Sequence, residues 1–183
     1  VARMVRRRLG EEVKLREQRD GTVSPEAWAL VQRAEQRHED GERLMTASDT
    51  AGVLAAFHAA DSLLALAGRQ DAQWIEPETR RALFDYRVAH FFEDSPTGAA
   101  PFLDSGMVHA ERALAMAPMT PAALEARGEL RFWRWYLNLE PNPKAADDSL
   151  HVAQADLEEA TRIDPTAASA WAVLGVLYAA GNN

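Results

Sequence analysis

The chain contains no cysteine. That excludes a disulfide framework, a thiolate metal site and a cysteine nucleophile. No uninterrupted apolar run reaches the ~18 residues of a membrane-spanning helix, so no membrane insertion is expected within it. A secretory leader is not visible either. Strand signals are missing, since no apolar/polar alternation stands between turn signals. Cations are in deficit, with 20 Lys and Arg against 28 Asp and Glu and a net charge of −8. That balance argues against nucleic acid as a partner. There is no Gly-rich phosphate loop, no Gly-x-Ser-x-Gly elbow and none of the protein-kinase motifs. The expectation is a chain that is not an enzyme and needs no cofactor.

What is present is almost entirely helical pattern, with 47% apolar residues to fill a core. The charge is uneven. Val1–Arg19 holds seven Lys or Arg against three Asp or Glu, and Val5, Leu9 and Val13 step along one helical face. Residues 1–22 therefore read as a basic helix or linker from an upstream domain, and the chain as a piece of a longer protein. Ser24, Pro25 and Glu26 start the next helix, which is expected to reach about Met45. Asp49 caps one running to about Ala67, and Pro77 begins one ending near Phe92. Residues 93–101 read as a loop. Further helices are expected at 102–117, 121–139, 145–163 and 166–180.

Small residues recur at a fixed interval. Gly106, Ala110, Ala113, Pro118 and Gly128 fall 47 positions before Ala153, Leu157, Ala160, Pro165 and Gly175. Ala60, Leu64, Ala67, Ala72 and Ala82 precede the same set by 46. Small residues on facing helices let two backbones approach closely, and each hairpin leaves an apolar face for the next to cover. The segment Ala153–Tyr178, with Trp171, Leu174, Gly175 and Tyr178 at its end, resembles the tetratricopeptide repeat family. The period exceeds that family's usual ~34 residues. The resemblance implies an all-α fold: antiparallel helical hairpins in a short right-handed superhelix, with units 25–74, 75–120, 121–167 and a truncated 168–183. Residues 1–35 are similar to the junction where a TolB-like domain, often linked to a serine/threonine kinase, runs into such repeats in bacterial signalling proteins. The compartment, cytoplasmic or extracytoplasmic, stays open.

The resemblance implies binding of a peptide or protein in a concave groove lined by the first helix of each hairpin. Tyr86, Arg87, His90, Glu125, Glu129 and Trp133 are the expected groove residues, because they sit on first helices away from the small-residue stripe. The lysine and asparagine pattern by which some family members clamp a C-terminal carboxylate is not matched. Thr79, Glu125, Glu129, Ser169 and Ala172 take comparable places.

Three other features carry expectations. Glu35 and His38 form a Glu-x-x-His pair, but a dinuclear site needs a second such pair, and none exists; the histidines read as surface residues and no metal is expected. The run RFWRWY, Arg131–Tyr136, packs two aromatic faces into a core extension, or walls a small-molecule pocket around Trp133 and Trp135. The apolar segment Thr166–Asn183 expects cover on all sides. Self-association through it, weakened by Val173→Glu or Leu177→Glu, is the corresponding expectation. A dimerisation or structural module is the alternative to a peptide binder.

Overall fold

A computed structural model describes residues 21–181, with side chains described to residue 179. The described chain is all-helical: α1 Pro25–Thr46, α2 Thr50–Gln70, α3 Glu76–Phe91, α4 Pro96–Met116, α5 Pro121–Tyr136, α6 Pro143–Ile163 and α7 Ala168–Gly181. The basic segment 1–20 lies outside the described residues.

Local chemistry sets the helix starts. The Ser24 hydroxyl accepts the Ala27 N–H at 3.1 Å and Pro25 opens α1. Asp49 accepts the Gly52 N–H at 3.0 Å to start α2. Asn142 accepts from Lys144 and Ala145 at 3.0 and 3.3 Å, which starts α6 earlier than expected. Each of these side chains satisfies a backbone donor that a first turn leaves free. α5 stops at Tyr136 rather than Leu139, because Asn138 takes a left-handed φ of 53°.

One expected loop is helix. Residues 96–101 belong to α4, capped by Ser95 on the Gly98 N–H at 3.3 Å. Pro101 therefore lies inside the helix. It is exposed in the second turn, where it withholds a backbone donor from the Thr97 carbonyl.

The even-numbered helices α2, α4 and α6 are each 21 residues long, and α3 and α5 are each 16. Each even helix packs on the odd helices that flank it in sequence. Odd helices also touch one another, α1 on α3, α3 on α5 and α5 on α7, whereas no two even helices touch. One apolar cluster joins α1 and α2 to the start of the array through Val31, Phe57, Leu64, Trp74 and Phe84. A second runs from Ala82 and Leu103 through Leu130 and Leu157 to Leu174 and Leu177. Phe92 and Phe102, stacked at 5.9 Å, pack against both. Helix α2 is long and apolar enough to cross a bilayer. Here Val53, Phe57, Ala60, Leu64 and Ala67 are buried in the core, and Asp61 pairs with Arg81 of α3.

The small-residue positions sort into three groups. Ala60, Leu64, Ala67, Ala110, Ala113, Ala153, Leu157 and Ala160 are fully buried, and Gly106 and Gly128 are buried. Pro118 and Pro165 sit at exposed turns. Trp171, Gly175 and Tyr178 are exposed, on the segment expected to need cover from a further helix or a second copy; Leu174 alone of that set is buried. Their face corresponds to Leu124, Arg127, Gly128 and Arg131 of α5, which α6 covers; no described helix covers it on α7. Val173 and Leu177 are 7% exposed and pack into the second cluster. Charging them would break that core, so they cannot report on self-association as expected.

The contrast between Gly128 and Gly175 is directly testable. A Cβ at Gly128 would stand 2.6 Å from Leu157 Cγ and 3.0 Å from the Ala153 carbonyl oxygen. At Gly175 it would meet nothing within 4 Å. Gly128→Ala should lower stability by about 1–3 kcal/mol through overpacking. Gly175→Ala should raise it by up to about 1 kcal/mol through helix propensity. Urea unfolding of both variants checks the pair; equal effects would contradict the packing.

Candidate functional site: the hollow across the odd helices

On α3, positions 79, 80, 83, 86 and 87 form one stripe, as do 122, 125 and 129 on α5, because residues three and four apart share a helix face. The two stripes enclose a hollow of about 360 Å³, lined also by Glu35 and His38 of α1 and Ser169 of α7. All four odd helices contribute to it.

Ion pairs latch α1 to α3. Arg80 donates to Glu35, and through Nε to Glu76 at 2.6 Å. Arg87 forks onto Glu42 at 2.9 and 2.6 Å. That hydrogen-bonded pair raises the guanidinium above its ordinary range and lowers the carboxyl below its own. The His38 ring stacks on Phe84 at 4.1 Å, and burial lowers its pKa. It holds its shape by aromatic packing, and Glu35 is occupied by Arg80. Among the described residues no group of His, Asp and Glu side chains could hold a metal ion.

The α5 side has a different character. Glu125 accepts the Ala170 N–H at 3.1 Å, and Glu129 accepts the Ser169 hydroxyl. Together these two bonds dock the start of α7 on α5. Glu129 is 1% exposed, and burial pushes its carboxyl up to about 8. Burial raises Glu125 as well. Among the described residues neither carboxylate has an ion-pair partner.

Four of the six residues expected to line a groove, Tyr86, Arg87, Glu125 and Glu129, do line this hollow, together with Thr79 and Ser169. His90 and Trp133 stand beside it, their rings in edge contact at 4.6 Å, with His90 6.2 Å from Tyr86. Trp133 is 7% exposed and belongs to the core. Ala172 is exposed and is not among the lining residues.

The aromatic run divides. Phe132 and Trp133 are buried, Trp135 is half-buried, and Tyr136 is exposed. Trp133 belongs to the second apolar cluster, and Trp135 packs against it. Trp135 also borders a separate cleft of about 280 Å³ against Pro141, Pro143 and Asp147. The histidines differ from expectation: His109 is 4% exposed, its Nδ1 hydrogen-bonded to Glu78 at 2.7 Å.

Composition and periodicity did not point to Glu35, His38, Arg80 and Leu83. A signal was available. Glu35 and Arg80 are 45 positions apart, as are Glu42 and Arg87, and Glu125 and Ala170. A polar pair repeated at the hairpin spacing marks contacts between successive odd helices.

The fold and the hollow define a class, an all-α chain of packed helices in which four helices line one hollow. No family model, curated protein or solved structure matches the chain.

Proposed function

We propose that the chain is a protein-interaction module whose inner face holds a segment of a partner protein. The observation that carries this is the hollow itself: four successive odd helices converge on one cavity whose walls mix aromatic, aliphatic and charged side chains. Small-residue spacings of 46 and 47 and equal even-helix lengths support a superhelix of the tetratricopeptide type. The resemblance at residues 1–35 supports a place in a bacterial signalling protein, as its sensory or regulatory segment. Binding rather than catalysis is the reading, because the hollow's arginines and Glu35 and Glu76 are engaged with one another as structural walls.

Selection of displayed twelve-residue peptides on the immobilised chain tests the reading. Leu83→Asp and Arg87→Ala should each weaken the selected peptides by at least about tenfold, or ~1.4 kcal/mol. Val108→Asp, on the exposed outer side of α4, should leave binding unchanged. Peptides indifferent to all three variants would overturn the groove assignment.

The outer face of α7 favours a second reading, association of two copies. Trp171 and Tyr178 are 50% and 44% exposed around the open surface of Gly175, and Val176, 51% exposed, stands on the adjoining face. Apolar patches of this kind mark association sites. Val176→Glu should shift sedimentation towards monomer at high concentration without unfolding the chain; a wild-type monomer at every concentration would refute it.

A further inference from the structure

We propose that the exposed face of α7 seats an amphipathic helix of a partner protein, one that repeats the small–leucine–small pattern of α6 but carries an apolar side chain where α6 carries Asp156. This goes beyond the hollow. It concerns the surface of the second reading above, and its test separates a helix from a second copy.

α7 repeats the buried pattern of α5. Ala123, Ala126 and Leu130 are buried on α5, and so, 47 positions on, are Ala170, Val173 and Leu177. α5 packs on α3 and α4, and α7 packs in turn on α5 and α6. Trp171, Leu174, Gly175 and Tyr178 therefore stand where Leu124, Arg127, Gly128 and Arg131 stand on α5. There the face is an interface, with Leu157 of α6 seated on Gly128 so closely that a Cβ would lie 2.6 Å from its Cγ. Around Gly175 a Cβ would meet nothing within 4 Å, which leaves room for the matching leucine of an incoming helix.

The position before that leucine, 109 on α4 and 156 on α6, answers the charge of the odd helix beneath it. His109 meets Glu78 of α3 at 2.7 Å. Asp156 meets Arg127 and Arg131 of α5. α7 presents Trp171, Leu174 and Tyr178 at the equivalent places, so a charge buried over them would go uncompensated. The two rings are already held: Trp171 Nε1 donates to the Pro165 carbonyl at 3.1 Å, and the Tyr178 hydroxyl donates to Glu158 at 3.0 Å. Side chains fixed beforehand lose less freedom on binding. Among its described residues a second copy offers no spare helix of this kind, because α2, α4 and α6 each pack between odd helices of their own chain. A helix anchored at i, i+3, i+4 and i+7, the spacing of 153, 156, 157 and 160, is the occupant that fits.

The test displays the α6 sequence, Pro143–Ile163, with positions 153, 156, 157 and 160 randomised, and selects binders on the intact chain. The selected helices should carry small residues at 153 and 160, leucine at 157 and an apolar residue at 156. Restoring aspartate at 156 should weaken them about tenfold. Gly175→Leu in the chain, which fills the seat while its Cβ touches nothing of the fold, should do the same with an unchanged circular dichroism spectrum. Leu83→Asp, in the hollow, should have no effect on them. Helices that keep Asp156 would be exchanging with α6 on α5 and would overturn the inference. So would a selection that enriches nothing, or helices indifferent to Gly175→Leu; if Leu83→Asp releases those, the hollow keeps its reading and this one falls. Self-association that Gly175→Leu abolishes but the selected helices fail to displace would give the face to a second copy instead.

Discussion

Asp156→Ala should destabilise the protein by about 3–5 kcal/mol, the usual effect of stripping a buried ion cluster of one member. Asp156 is 6% exposed and sits on α6 facing α5. Arg127 forks onto it at 2.8 and 2.6 Å, and Arg131 donates at 3.0 Å. Two half-buried guanidinium groups thus share one carboxylate. The crowding is visible in Arg131: burial first, then its neighbour Arg127, lowers its pKa below the ordinary range. Removing the carboxylate leaves two adjacent cations that water reaches poorly. Removing Arg131 instead leaves the Arg127 fork intact, so Arg131→Met should alter stability by less than about 1.5 kcal/mol. In a stacked array each hairpin depends on its neighbours, so the loss should appear locally. Hydrogen exchange in Asp156→Ala should accelerate in α5 and α6 before α1 and α2. Equal effects of the two variants, or uniform exchange along the chain, would contradict this assignment.

That cluster shows what the sequence could and could not convey. Arg127 and Arg131 stand out as cations 47 positions before Leu174 and Tyr178. Their compensation lies on the next helix, at 156, and position alone does not pair them. The same slot of the preceding even helix, 47 positions earlier, is His109, and it too makes a polar contact across its hairpin, to Glu78. A polar contact repeats while its residue types change, which hides it from a search for matching letters. The apolar frame was far more legible. Ala60, Gly106 and Ala153 keep their size because helices close on them, and the 46–47 spacing follows. Helix starts were legible where a capping side chain stands next to a proline, as at Ser24–Pro25. Pro101 misled because a proline usually opens a helix, whereas here Ser95–Pro96 had already opened it. Four of the side chains that line the hollow were legible from their helix face alone. Trp133 was not, since its face lies on the boundary between hollow and core and only packing decides between them.

Between about pH 6 and about pH 8.5 the protein should lose about 2–3 kcal/mol of stability, and Glu129→Gln should abolish most of that loss. Glu129 is buried between α5 and α7, and its carboxyl is pushed up to about 8, from the usual 4.5. An acid whose pKa is higher folded than unfolded binds more protons when folded. Its stabilisation is full below the unfolded value and is lost as pH rises through the folded one, at up to about 1.4 kcal/mol per pH unit. Asp85, raised by burial to about 6, acts with the same sign, but most of its range lies below this window. Glu42 and Glu78 are lowered and act with the opposite sign in more acid solution. His38, lowered by burial, has finished titrating before the window closes. Glutamine keeps an oxygen for the Ser169 hydroxyl and never ionises. Near pH 8.5 the variant should therefore be more stable than the wild type, and near pH 5 it should match it or fall slightly below. Because Glu129 holds the start of α7, the wild type should lose that helix first as the acid ionises, bringing Trp171 into a new environment. Urea unfolding at stepped pH, followed by tryptophan fluorescence, reads both effects. Parallel curves for wild type and Glu129→Gln across the window would show that Glu129 is ionised in the folded protein and that α7 is held without it.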